Sequence, residues 1–469
     1  MQHTHMLKTF KHHTHSMNKI TVARISLLAC AALANLWFAG CMPGTGAPSV
    51  PAVVTPSLHP SGSITVWSWN IAAKSLMRLI PGFNKLYPDV KVNVDMTGAQ
   101  MQTRLMLSLA CGVGAPQVSQ LQLTDTPHYI DTGRLADLTP VAAQLRNSFP
   151  DYLWENCEKN GHVYAIPWDT GPCAVFYKRD IFQKYGIDPN KIDTWADYIQ
   201  AGEEILRKSG GKTKMLPLGL DSLENMYLII LQQVRGQIFD EQGRIAINSK
   251  ASQEALAIIK EMREAGICSD VQMFSQEFMA GINDNSIATY PSAVWLAGTI
   301  RDTTKDYGLG KSRWGVFRLP AVTKGGLHVA NFGGSVLVIP AQCKNKAAAW
   351  AFIKYALCSR KGQADQYRNF DLFPAYLPAQ KMPQVTEPDK FFGGERVGVL
   401  FARDISKISK LNITPDWAEA STYIEEALSD WAANGMHNRN FFGNLEIRMQ
   451  RRLGDSISPQ SLSYSENNG

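Results

Sequence analysis

The stretch that most narrows the folding options runs from Ser63 to Met96. ITVWSW alternates β-branched and aromatic residues in the manner of a strand, and VKVNVDM does so again further on. Between them Leu76, Leu79, Phe83 and Leu86 recur at spacings of three and four, the period of a helix with one apolar face, and Pro88 closes it. Two strands joined through a helix lie parallel, because the chain crosses back over the sheet before the second strand begins. The unit predicts an α/β protein.

The alternation continues down the chain. Thr194, with Asp197 three positions on, predicts a capped start for TWADYIQAGEEILRKSGG, which the glycine pair ends. Ser249 opens another helix through KASQEALAIIKEMREAG. GSVLVIP is a continuous apolar run suited to a strand buried on both faces, and it leads into an alanine-rich helix over 345–357. A body of roughly 400 residues exceeds what one core usually holds, so two lobes are expected. The sequence carries no internal repeat, Gly-rich phosphate loop, HExxH, GxSxG or metal-spaced His/Cys cluster. No cofactor and no metal are expected.

Charge excludes one class of partner. Forty-seven basic against 41 acidic residues give +6, but Lys8, Lys11, Lys19 and Arg24 precede residue 40 with no acid among them. Without those four the remainder stands near +2. A near-neutral body with no Lys/Arg-rich run offers no footprint for a phosphate backbone, so nucleic acid is not an expected partner.

The amino terminus reads as an address. Residues 25–39, ISLLACAALANLWFA, are apolar apart from Ser26 and Asn35, follow Lys19 and Arg24, and are too short to span a bilayer comfortably. The run ends in Phe38-Ala39-Gly40-Cys41, which resembles the bacterial lipoprotein box and makes Cys41 the expected lipidation site after removal of a signal peptide, residues 1–40. The following segment to residue 61 has no charge and is rich in proline, and it reads as a flexible tether. Histidines at 3, 5, 12, 13 and 15 precede Met17, itself a plausible start, and are read as discarded sequence rather than a metal site.

With Cys30 and Cys41 set aside, six cysteines remain, at 111, 157, 173, 268, 343 and 358. A helix between Cys343 and Cys358 would separate them by about 20 Å, far beyond disulfide reach. A Cys157–Cys173 bridge and a set of free buried thiols both stay open.

Four patches resemble one family, the extracellular solute-binding proteins of ABC importers, in the carbohydrate-receptor branch that includes maltose-binding protein. They are ITVWSWN with FNKLYPDVKVNV; GRLADLTP; VYAIPWDTGPCAVFYKRDIFQKYGIDP with TWADY; and ANFGGSVLVIPAQCKNKAAAWAFIKYAL. The resemblance runs from about Ser63 to Phe442, with departures at Gln117, where the family usually has Asp, and Lys178, where it commonly has Asn or Asp. It implies a two-lobed periplasmic-binding-protein-like fold (type II) with a hinged interlobe cleft. The implied lobes are 62–172 with 316–364, and 173–315 with 365–460, leaving 461–469 as a tail. It further implies a monomeric, non-enzymatic receptor, anchored by lipid at the outer face of a bacterial membrane, that passes a sugar or oligosaccharide to ABC permease subunits.

Candidate contacts follow from the chemistry of sugars, whose apolar faces stack on aromatic rings while their hydroxyls need polar partners. Trp67 and Trp69 end the first strand and share a face unless the strand breaks between them. Asn70 follows, with a helix cap as its alternative role. Asp125 comes after SQLQL, Trp168 and Asp169 lie in the crossover segment, and Trp295 lies in TYPSAVWLAGTI. Asn331, Phe332 and Gly333, followed by Gly334, resemble a cleft loop where glycine admits close backbone approach. Arg368 and Tyr376 are weaker rim candidates, while Trp314, Trp350, Trp417 and Trp431 read as packing residues. Three other functions compete. A glycerophosphodiester such as glycerophosphocholine would want an arginine, Arg396 or Arg368, at its phosphate. A glycosidase would want Asp125 and Asp169 facing each other, and an adhesin would want no closed cleft.

Overall fold

The computed structural model describes residues 52–98, 100–306, 313–437 and 440–468. Cys41, the apolar segment before it and the early histidines lie outside these residues.

Among the described residues seven strands form the main sheet: β1 (Gly62–Ser68), β2 (Val90–Met96), β3 (Val118–Gln122), β4 (Ala165–Lys178), β5 (Thr289–Ala293), β6 (Trp314–Arg318) and β7 (Asn331–Val338). The helices that matter for the site are α1 (Asn70–Leu86), α2 (Trp195–Lys208), α3 (Leu223–Gln233), α4 (Gln276–Asn283), α5 (Leu296–Asp306) and α6 (Trp417–Ala433). The expected strand–helix–strand unit is β1–α1–β2, and its strands pair in parallel. Leu76 and Phe83 are fully buried along α1, whereas Leu86, at the last turn, is 65% exposed and takes no part in the core. The sheet order is β6–β4–β7–β3–β1–β2, with β5 also paired to β4.

β4 is the spine. Its first half, Ala165–Pro172, pairs antiparallel with β7, and its second half pairs with β5 on one edge and β6 on the other. All 14 residues are buried. The alternation of a strand explains why: in the second half Ala174 and Phe176 point into one hydrophobic core, while Cys173, Val175 and Tyr177 point into another. The first core gathers Val66, Phe83, Trp154 and Phe352. The second gathers Trp195, Tyr227, Ile259 and Phe442. Segments expected in the second lobe also reach the first core, through Phe278, Tyr290, Ile300, Phe373 and Phe401.

Local signals set the helix ends. Thr194 and Asp197 form the reciprocal box at the start of α2, the Asp197 amide donating to Thr194 Oγ1 at 3.2 Å and the Thr194 amide to Asp197 Oδ2 at 2.8 Å. Ser249 accepts from the Ser252 amide at 3.2 Å to open the helix Lys250–Glu264. Lys178, one of the two departures, is fully buried, and its Nζ donates to the carbonyls of Gly281 and Asp284 at the end of α4. The tether departs from expectation at its end: Val54 is fully buried in the first core and its amide donates to Asp137 O at 2.9 Å. A charge-free, proline-rich stretch lacks its own core, but one valine can enter a neighbour's. Cys157 and Cys173 are buried free thiols, donating to the carbonyls of Leu153 and Gly171.

Candidate functional site

A cavity of about 520 Å³ lies between the two cores. Trp69, Tyr152 and Leu372 line it from the first-core side, Leu228, Phe332 and Trp417 from the second, and Trp295 packs against both. A hollow of similar size, about 510 Å³, lined by Leu79, Tyr355 and Phe370, opens against the first core alone. Only a cavity shared by two cores can read a hinge motion, so the first is the candidate site.

Its floor lies beyond the carboxyl ends of the parallel strands β1 and β3, the usual place for a ligand on an open α/β sheet. There Ser68 Oγ donates to Gln120 Oε1 at 2.6 Å, and Gln120 Nε2 donates to Ser335 Oγ at 3.0 Å. Ser335 in turn gives its hydroxyl and its amide to Asp169 Oδ1, the amide at 2.9 Å. This polar chain ties four strands together beneath the cavity. Burial pushes the Asp169 carboxyl up to about 6, against the pull of its two hydrogen bonds from Ser335.

A second knot holds the loop opposite. Gln232 Oε1 accepts from the Asn331 amide at 3.0 Å while its Nε2 donates to the Asn331 carbonyl at 2.9 Å. The Asn331 side chain accepts from the Gly171 amide and from Thr170 Oγ1, both at 2.9 Å, and donates to Gly333 O at 2.8 Å. Trp295 Nε1 donates to Phe332 O at 3.0 Å, which leaves the indole face as its free surface. Gly171 has no alternative, because a Cβ there would sit 2.0 Å from Phe332 O. Gly333, at φ +83°, supplies the left-handed turn.

Seven of the ten residues expected at a ligand line this cavity: Trp69, Asn70, Asp169, Trp295, Asn331, Phe332 and Gly333. Three do not. Trp67 is 2% exposed, packed in the first core beneath the Arg104 guanidinium at 4.0 Å. The strand ends at Ser68, so the shared face is broken and Trp69 alone turns to the cavity. Trp168 is 1% exposed, its Nε1 donating to Gln366 Oε1 at 2.7 Å inside the first core. Asp125 is half-buried beside the cavity, takes a hydrogen bond from Gln102 Nε2, and is pushed up to about 6 by burial. Its neighbours Leu123 and Thr124 form the lining instead. Arg368 pairs with Glu387, and Tyr376 packs on Phe149.

Sequence reading missed Tyr152, Glu224, Phe274 and Trp417. Glu224 carried a signal: it is an acid at the start of the apolar run LENMYLIIL, where a carboxylate needs a reason. It is 8% exposed, accepts from Ser421 Oγ, and is pushed up to about 7 chiefly by burial. Trp417 had the periodicity of a packing residue and is both, 6% exposed yet on the cavity wall. Tyr152 and Phe274 carried no signal. The lining thus combines aromatic faces with amide, hydroxyl and carboxyl groups, and among the described lining residues there is no Lys, Arg or His. That chemistry suits a polyhydroxylated neutral molecule and opposes an anion.

Fold and site together define a two-lobed solute-binding protein, a class that holds its ligand without transforming it. The chain belongs to the family described as bacterial extracellular solute-binding protein, which matches residues 79–393. Placement outside the cytoplasm follows from that membership. It is similar to the arabinooligosaccharide-binding protein of Bacillus subtilis, 25% identical over 385 residues that cover 78% of this chain and 86% of the relative. It is also similar to the lactose-binding protein of Rhizobium radiobacter, 24% identical over 371 residues, 75% of this chain and 84% of the relative. The solved structure of the sugar-binding protein MalE from Xanthomonas citri shares the fold with a TM-score of 0.72, at 20% identity, over 87% of this chain and all of that one.

Proposed function

We propose that this chain is the receptor of an ABC importer for a neutral oligosaccharide, held in the cavity between the two cores and handed to membrane-spanning permease subunits. The observation that carries the reading is the lining, where the aromatic side chains Trp69, Trp295, Phe332 and Trp417 share the cavity with two buried acids, Asp169 and Glu224. Relatives named for arabino-oligosaccharides and lactose support the same class of cargo. The glycerophosphodiester reading gains no support, since carboxyl groups line the cavity and Arg368 and Arg396 are not among the described lining residues.

The hinge in this proposal lies in β4 near Thr170–Cys173, where its partner changes from β7 to β5. The lobes divide broadly as 62–172 with 316–364 and 173–315 with 365–460, amended so that α4, α5 and 372–408 go with the first; the packing of Phe278, Ile300, Phe373 and Phe401 in the first core supports the amendment. The mature chain begins at a diacylated Cys41, works as a monomer, and keeps Val54 docked as the end of its tether. Tryptophan fluorescence and thermal shift test the cargo, with arabinotriose, lactose and glycerophosphocholine as probes. A ligand at 100 times its Kd stabilises by roughly 2.7 kcal/mol, a readable shift. Stabilisation by a saccharide supports the reading, and stabilisation by glycerophosphocholine alone overturns it.

A further inference from the structure

The segment between Ser269 and α4 places a bulky aromatic where turns ordinarily place glycine or asparagine. The Ser275 amide donates to Gln272 O at 3.1 Å, closing a four-residue turn, and Phe274, its third residue, sits at φ +63°. Ser275 then caps α4, accepting from the Phe278 amide at 3.1 Å, so cap and turn together hold the preceding residue left-handed. For a side chain the size of phenylalanine that backbone is unfavourable, and such conformations gather where a ligand is clamped.

The ring does not offset this by burial. Phe274 is 50% exposed, one of the few large apolar side chains so placed among the described residues. It lines the cavity with Met273, its ring centroid 6.0 Å from that of Trp295, which is in turn 5.5 Å from that of Phe332. The three rings make a continuous aromatic wall, and Phe274 is its most exposed member.

We propose that Phe274 is a specificity-determining residue of this cavity, its exposed ring stacking on a sugar ring of the bound oligosaccharide and extending the wall begun by Phe332 and Trp295. The inference rests on the saccharide reading above. It makes the Gln272–Ser275 turn, rather than the strand ends alone, a determinant of which saccharides are held.

Calorimetric titration of the purified protein with arabinotriose and with lactose tests it, comparing wild type with Phe274→Gly, Phe274→Leu and Phe274→Trp. Phe274→Gly suits the left-handed backbone and removes the ring, so its unfolding temperature stays level or rises while Kd weakens roughly five- to tenfold. Phe274→Leu keeps the apolar bulk but not the π-face and weakens binding in the same direction, whereas Phe274→Trp stays within about twofold of wild type. Wild-type binding with Kd unchanged in both the Gly and Leu variants overturns the role of Phe274 and leaves the saccharide reading standing. Absence of wild-type binding to either saccharide overturns both.

Discussion

Replacing Glu224 by glutamine should stabilise the protein at alkaline pH and do little at acid pH. The side chain is 8% exposed, lies among α3, α6 and the cavity, accepts from Ser421, and faces the carboxylate of Glu425. Burial raises its folded value from 4.5 to about 7. An acid whose folded value is raised binds its proton more tightly in the folded state. Its contribution is therefore fully present below pH 4.5 and is lost as the pH climbs through about 7. Each unit of difference is worth about 1.4 kcal/mol, so between pH 4.5 and 8 wild type should lose about 3 kcal/mol relative to Glu224→Gln. In a chain of this size that is a relative shift of roughly 3 °C. Thermal unfolding of both proteins across pH 5–8 reads the difference directly, since other titrating groups such as Asp169 are common to both and cancel. Parallel curves over that range would refute the assignment of Glu224 as a buried, protonated carboxyl.

Other perturbations separate lining from core. Trp295→Ala and Trp417→Ala should each weaken saccharide binding at least tenfold in a fluorescence titration, as lost stacking faces. Trp168→Ala removes a fully packed ring and its hydrogen bond to Gln366, and should cost about 3–5 kcal/mol in denaturant unfolding. A chain beginning at Ser61 rather than Ala52 loses the buried Val54 and should unfold about 1.5–3 kcal/mol more easily. Cys157 and Cys173 should resist alkylation until the protein is unfolded, and a bridged Cys157–Cys173 peptide in the non-reduced digest would contradict the free thiols.

The parallel unit β1–α1–β2, the capped starts of α2 and of the Lys250–Glu264 helix, and the double-sided burial around GSVLVIP were legible because each depends on residues a few positions apart. The cavity was less so. Period two put Trp67 and Trp69 on one face, and only the tertiary fold shows that the strand stops between them. Trp168 and Asp169 are adjacent, yet alternation along β4 sends one into the first core and the other to the cavity floor. Trp417 and Glu224 reach the cavity wall from helices far apart in sequence that pack together through the Ser421–Glu224 hydrogen bond, and no local pattern distinguishes a helix face on a core from one on a cavity wall. Phe274 depends on a turn and a cap acting together, which composition does not reveal.

The proposed cargo of the space between the two cores is a neutral saccharide. Titration calorimetry of the wild-type protein with arabinotriose, lactose and glycerophosphocholine tests it most directly. Saturable one-to-one binding of a saccharide and no heat from glycerophosphocholine are the expected results. Binding of glycerophosphocholine with no response to either saccharide would contradict the proposed cargo.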